Sequence, residues 1–479
     1  MKNIGVPAAL LAVFATASSA IHAASTGAGA APPSSAAPTT SSPTWFPADS
    51  AVRAIMRNRV ESGQATGLVV GLLDNGERRV VGFGRSGAPG GRPLDGATVF
   101  EIGSVTKVFT ATLLADMVRR GEVRFDQPVA DLLPKSLKVP AKDGKPITLL
   151  DLATQHSGLP RLPSNLTPKD PANPYADYTV ERLYEFLSHF ELTRAPGERY
   201  EYSNLGMGLL GHALSLRAGK PYEALLTERV LKPLGMDDTR ITLTADAKSR
   251  LAAGHDPSGA TVPNWDVTAL AGAGALRSTA NDLLQFLAAS IDSSETAISA
   301  VLRETHRPRH AAGGAQVSIG LAWHLLHTPF GAEIVMHNGG TGGYRSFNGY
   351  DPAMRVAVVV LSNSSGDVDD VGLHLLNAKF PLKEIVKRTE VKLVPARLDL
   401  LAGQYALTPT FVLTVTREGD GLFIQATGQP KLAVFAESDS TFFYRAVGAR
   451  VSFSRDTTGR ASRLVLHQNG RDMPGERLP

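Results

Sequence analysis

The stretch "GLVVGLLDNGERRVVGFG", residues 67–84, limits the possible folds more than any other part of this chain. Two apolar runs flank Asn75-Gly76, a dipeptide that tolerates the positive φ angles of a tight two-residue loop. The pattern predicts an antiparallel hairpin. A further long apolar strand is expected much later, at "MRVAVVVLS", residues 354–362. Helical and loop segments fill the interval, broken by a proline-rich loop at residues 160–174. Before the hairpin, "ADSAVRAIMRNRV", residues 48–60, reads as an amphipathic helix.

Past about residue 395 the texture changes to short strands punctuated by Gly, Asp and Asn turns, which predicts a small barrel or sandwich. The boundary is expected within residues 385–397. A chain of 479 residues holds one large domain and a smaller one without strain on either core. Lys and Arg exceed Asp and Glu by four, and no long basic run occurs, so a nucleic-acid partner is not expected. Without any cysteine there is no disulfide, no thiolate metal site and no lipid-attachment thiol. Oligomeric state is left open.

At the N-terminus, Lys2 precedes an apolar run from Ile4 to Ala17 and then small residues around Ala20 and Ala23-Ala24. This order of basic, apolar and small residues predicts a secretory signal peptide over residues 1–24. The run is shorter than the roughly 18–20 apolar residues of a bilayer span, so an exported protein with no stable membrane anchor is expected. Residues 25–44, "STGAGAAPPSSAAPTTSSPT", form a Ser/Ala/Pro/Thr linker with nothing to bury.

The chemistry is concentrated in "FEIGSVTKVFT", residues 100–110. Val105, Val108, Phe109, Thr112, Leu113 and Met117 recur near helical spacing, and Arg119, Arg120 and Gly121 supply a stop. Ser104 is expected to open this helix, with its backbone N–H among the helix's unpaired donors and able to stabilise an oxyanion. Lys107 lies one turn on along the same face. Apolar surroundings and the positive helix end both disfavour its ammonium form and turn it into a base.

Two later stretches join this pair. In "PGERYEYSNLGMGLLG", residues 196–211, Tyr202 and Asn204 stand two apart, placing a phenol suited to proton relay and an amide suited to a carbonyl or the lysine in one cleft. In "EIVMHNGGTGGYRSFNGYDP", residues 333–352, a short strand carries His337, Asn338, Gly339 and Gly340. The two glycines permit close backbone approach, so a substrate can pair with the chain as an added strand. No metal site is expected: His306 and His310 flank "RPR" without a nearby glutamate, and His324 and His327 in "WHLLH" are read as sharing one packing face. No cofactor is called for.

Ser-x-x-Lys, Tyr-x-Asn and His-x-Gly in this order resemble the serine β-lactamase and penicillin-binding superfamily, with class C β-lactamases and D-alanyl-D-alanine carboxypeptidases nearest. "LLDLATQHSGLP" and "GAGALRSTANDLLQF" are similar to segments of that family. The resemblance covers about residues 45–385. It implies an α+β fold, with an antiparallel sheet built from both ends of the domain and flanked by helices and a helical subdomain. It also implies a serine hydrolase working through an acyl-enzyme on β-lactam, D-Ala-D-Ala-type or other peptidoglycan-like substrates. A carboxylesterase, a D-aminopeptidase and a non-catalytic penicillin-binding module are the alternatives on the same scaffold.

Carried onto this chain, Ser104 is the nucleophile, Lys107 its proton partner, and Tyr202 general base and acid. Asn204 contacts substrate and lysine, His337 binds or polarises substrate, and the N–H groups of Ser104 and Gly340 form the oxyanion hole beside Gly339. The chain has His337-Asn338-Gly339 where class C enzymes carry Lys-Thr-Gly, and Leu162 where they place a substrate-binding glutamine. With an ordinary imidazole pKa near ~6.5, His337 is expected to hold a substrate carboxylate more weakly as pH rises, with Arg345 as its rival. Residues 396–479 resemble the lipocalin-like barrel appended to some of these hydrolases.

Overall fold

The computed structural model describes residues 45–479 apart from 89, 295, 386–389, 410, 428–430, 445–448 and 469–470; the leader and linker expected over residues 1–44 lie outside the described residues. The hairpin consists of β1 (Gly67–Asp74) and β2 (Glu77–Gly84), joined at Asn75, φ 48°, and Gly76, φ 95°. Asn75 is one of the few non-glycine residues at positive φ, a conformation its side chain tolerates better than most. The helix before it, α1, spans Asp49–Glu61.

The main sheet is completed by β3 (His310–Gly314), β4 (Val317–Ile319), β5 (His324–His327), β6 (Glu333–Gly340), β7 (Arg345–Asp351) and β8 (Val356–Ser362). Its order is β2-β1-β8-β7-β6-β5-β4-β3, antiparallel throughout. β1 pairs with β8 from Leu68↔Ser362 to Asp74↔Val356, so strands from the two ends of the domain lie side by side in one sheet.

β1 and β8 are both buried on both faces, which explains their nearly unbroken apolar sequences. Val356, Val358 and Val360 of β8 join Leu68, Val70 and Leu72 of β1 in a core beneath α1 and α5 (Asp369–Leu376). The alternate residues Ala357, Val359 and Leu361 join Val69 and Leu73 in the core on the other face. Each fully buried valine contributes about 1.5–3 kcal/mol to folding. On that second face lie α2 (Thr106–Arg119), buried from Thr106 to Met117, α3 (Asn204–Ala218) and α4 (Ala280–Ile291). α2 is therefore an interior helix, buried nearly all round.

Downstream, a short helix (Pro395–Asp399) leads into eight strands from Gly403 to Arg477 that close into an antiparallel barrel, each paired with its sequence neighbour and the first with the last. Its interior is filled by residues such as Tyr405, Leu413, Ile424, Val451 and Leu464. Of the barrel or sandwich expected from the strand texture, the barrel forms. No described helix is long and apolar enough to cross a membrane.

His324 and His327 depart from the shared face expected of them. They lie three apart on β5, a strand, so they point to opposite sides: His324 is buried and His327 exposed. A four-residue apolar run reads equally as helix or strand by periodicity alone.

Candidate active site

Ser104 stands in a 3₁₀ turn, Gly103–Val105, which tightens the entry to α2; the regular helix begins two residues later than the sequence suggests. The cause is the close approach of β6. A Cβ on Gly103, whose φ is +48°, would lie 2.7 Å from the backbone of Gly340, and one on Gly339 would lie 2.0 Å from the Ile102 carbonyl. Ser346 on β7 adds a 2.8 Å hydrogen bond to that same carbonyl. Glycine at these positions lets two backbones touch where any side chain would separate them.

This contact sets the backbone of Gly339 and Gly340 beside that of Gly103 and Ser104, where the oxyanion donors are expected. Thr341 N–H bonds to Tyr344 O at the end of the β6–β7 hairpin, so the neighbouring Gly340–Arg345 pair belongs to the non-bonded class of the ladder. The N–H and C=O of Gly340 consequently point away from β7. On that side β5 pairs with β6 only as far as Met336, leaving residues 337–340 as a free edge beside Ser104.

Lys107 is completely buried. Its Nζ lies 2.9 Å from Ser104 Oγ and donates to the Ala273 carbonyl at 2.6 Å. Burial, reinforced by the nearby Arg161 cation, holds its pKa well below the usual lysine range. A neutral amine that gives one N–H to Ala273 has a lone pair to turn toward the serine hydroxyl.

Tyr202 lies in an extended lead immediately before the N-cap of α3, with its ring 4.9 Å from Lys107 Nζ. The local sequence fixes it there. Ser203 caps the helix by accepting from Gly206 N–H at 2.8 Å and donates to the Pro160 carbonyl at 2.7 Å. Ser203 N–H donates to Gln155 Oε1 at 2.7 Å. Burial pushes the phenol up to about 12, against the opposing pull of the Ser104 hydroxyl and Arg161. The phenol is therefore protonated at neutral pH.

Asn204, the first residue of α3, donates to the Tyr175 hydroxyl at 3.5 Å and leaves its Oδ1 buried without a partner. The expected contact with Lys107 is replaced by the Ser104 and Ala273 bonds of the lysine.

His337 is buried, 6.2 Å from the Tyr202 ring and 5.4 Å from that of His324. Its Nδ1 is 2.6 Å from the Asn338 carbonyl, which makes Nδ1 the protonated nitrogen and Nε2 a buried acceptor without a partner. Burial first, then His324 and Lys107, drive its pKa well below the ordinary value. This corrects the expectation of a titrating carboxylate holder: the imidazole is neutral at physiological pH. Arg345 is no substitute. Its guanidinium lies over Gly340 on the side of β6 away from Ser104 and bonds to the carbonyls of Thr341 and Tyr344.

Three neighbours of this group carry no motif in the sequence. Ala273 acts through its carbonyl, which any residue possesses. Tyr200 is paired at 2.9 Å with His324, whose pKa is lowered to about 4 by burial. Arg161 places its guanidinium 5.1 Å from the Tyr202 ring centre. It follows "SGLP" directly, and that proximity was the available signal. No group of three or more metal-ligating side chains occurs among the described residues.

The family described as Beta-lactamase matches residues 52–379, and a domain of unknown function, DUF3471, matches residues 387–477. The D-alanyl-D-alanine-carboxypeptidase/endopeptidase AmpH of Escherichia coli is 31% identical over 316 residues, covering 63% of this chain and 80% of AmpH. A solved β-lactamase/D-alanine carboxypeptidase from Yersinia pestis, complexed with citrate, superposes with a TM-score of 0.58 at 26% identity, covering 66% of this chain and 92% of its own. A class C β-lactamase structure, 21% identical, gives 0.61 over 70% of this chain and 96% of its own and speaks for the fold. With the family match spanning most of its length, the chain belongs to the β-lactamase family and is a serine hydrolase.

Proposed function

We propose that the protein is an exported acyl-transfer enzyme that opens β-lactam or D-Ala-D-Ala-type amides through an ester on Ser104. The observation that carries this reading is the buried Lys107 amine 2.9 Å from Ser104 Oγ, its pKa held well below the usual lysine range. Ser104 attacks the scissile carbonyl while Lys107 takes its proton, and the N–H groups of Ser104 and Gly340 receive the developing oxyanion. Tyr202, protonated in the resting site, gives its proton to the leaving nitrogen and is reprotonated from Lys107. An extended substrate lies along residues 337–340 as an added strand, with Asn204 meeting an amide on its acyl side and His337 Nε2 accepting from a substrate donor.

Within this class, His337 favours the peptidase branch over a lactamase, because a neutral imidazole replaces the fixed charge of Lys-Thr-Gly. The AmpH likeness points the same way. Labelling with a fluorescent penicillin followed by a chase tests the reading. A label on Ser104 that persists supports a peptidase, and rapid loss with product release indicates a lactamase. Absence of label together with hydrolysis of simple esters overturns the amide reading in favour of an esterase. Export rests on the order Lys2, Ile4–Ala17 and Ala20–Ala24 and is checked by the N-terminal mass of protein recovered outside the cytoplasm.

A further inference from the structure

We propose that Arg161 anchors a carboxylate on the acyl side of the substrate, so that the site prefers acyl donors bearing an acid group near the scissile carbonyl. The inference rests on the acyl-transfer reading above and adds a substrate class to it.

Arg161 is half-buried, and its guanidinium makes no hydrogen bond or ion pair among the described residues; the face of Tyr202 is what it rests on. A guanidinium carries five N–H donors in a planar fork that fits a carboxylate with two parallel bonds. Cations with partners elsewhere in this domain are held differently: Arg59 pairs with Asp370, and Arg277 with Glu101. Arg161 is fixed by its backbone instead, its carbonyl accepting from Asn204 N–H at 3.0 Å and Leu205 N–H at 3.3 Å. The backbone is thus held, the guanidinium rests on the Tyr202 ring, and its donors are unspent.

The other candidates for a carboxylate are excluded by what surrounds them. Lys107 is committed to Ser104 and Ala273, His337 presents an acceptor, and Arg345 lies across β6. Arg161 also shares a backbone clamp with Asn204, whose buried Oδ1 lacks a partner. An acyl group with an amide N–H and a nearby carboxylate satisfies both at once: the N–H reaches Asn204 and the acid reaches Arg161. The apolar Leu162 beside it offers no competing amide.

Benzylpenicillin and α-carboxybenzylpenicillin differ by one carboxylate on the acyl side chain, and Ser104→Ala keeps both intact during equilibrium calorimetry. The expected result is at least tenfold tighter binding of the carboxylated compound, with an advantage that shrinks as salt is raised. Adding Arg161→Gln should bring the two affinities together, whereas Arg161→Lys should retain part of the difference. Equal affinities with Arg161 present, a preference that survives Arg161→Gln in a folded protein, or no binding of the carboxylated compound overturns the proposal. Failure of the acyl-transfer reading has a different signature: neither compound forms a Ser104 adduct by mass spectrometry in the unsubstituted chain, whatever the calorimetric ratio.

Discussion

Lys107 is costly where it stands, and the cost is visible in its protonation. Its folded-state pKa is depressed, so the folded protein binds fewer protons than the unfolded chain in the window below the ordinary lysine value. The sign follows: this contribution to stability is present above the unfolded pKa of ~10.4 and is lost as pH falls toward the folded one. Lys107→Met should therefore flatten the rise of stability with pH below the unfolded value of ~10.4, measured by urea melts over that side of the titration. An unchanged slope would mean that the lysine is charged in the fold. For catalysis, Ser104→Ala and Lys107→Ala should each reduce acylation by roughly 10⁴–10⁶, and the double variant should be little worse, because the pair acts as one unit. Multiplicative losses in single-turnover assays would contradict the pairing. The motif residues that the structure brings together were legible in the sequence as particular side chains at fixed spacing. The neutrality of His337 was not, since it depends first on burial and then on His324 and Lys107, which arrive from other elements.

The β6 edge depends on glycines whose role emerges only when elements meet. Gly339→Ala would place a Cβ 2.0 Å from the Ile102 carbonyl and 3.0 Å from Ser104 N, so β6 must move away from the nucleophile. We expect a loss of about 1–3 kcal/mol in stability and a fall in acylation of about 100-fold or more as the oxyanion donors separate. Gly331→Ala, at a turn with φ +84° but with open space around it, is the control: it should lose some stability and keep its acylation rate. Similar acylation in both variants would remove the close approach from the mechanism. At this scale the Asn75-Gly76 hairpin was readable from local turn chemistry, whereas the 3₁₀ entry to α2 was not. The tightening at Gly103 is imposed by Gly340, far away in the sequence, and no local propensity encodes it.

Across the whole molecule, no described strand of the barrel pairs with a strand of the main sheet, and each has its own core. Each has the means to unfold by itself, so calorimetry should resolve two transitions, and a chain ending at residue 385 should retain penicillin acylation with only the first. Loss of acylation with an otherwise native circular-dichroism spectrum would give the barrel a part in the site. The two-unit division was legible from the change of strand texture near residue 395, because alternation over short strands is a local property. The pairing of β1 with β8 was not readable from either strand, since each is equally apolar on both faces. That pairing also sets a schedule for the ribosome. Ser104 and Lys107 are synthesised early, yet the strand that seats β1 ends at Ser362, and loop closure over that distance must precede the central ladder. Until then Ser104 and Lys107 stand on an unfinished sheet, and the surroundings that bury Lys107 are complete only after nearly the whole domain has been made.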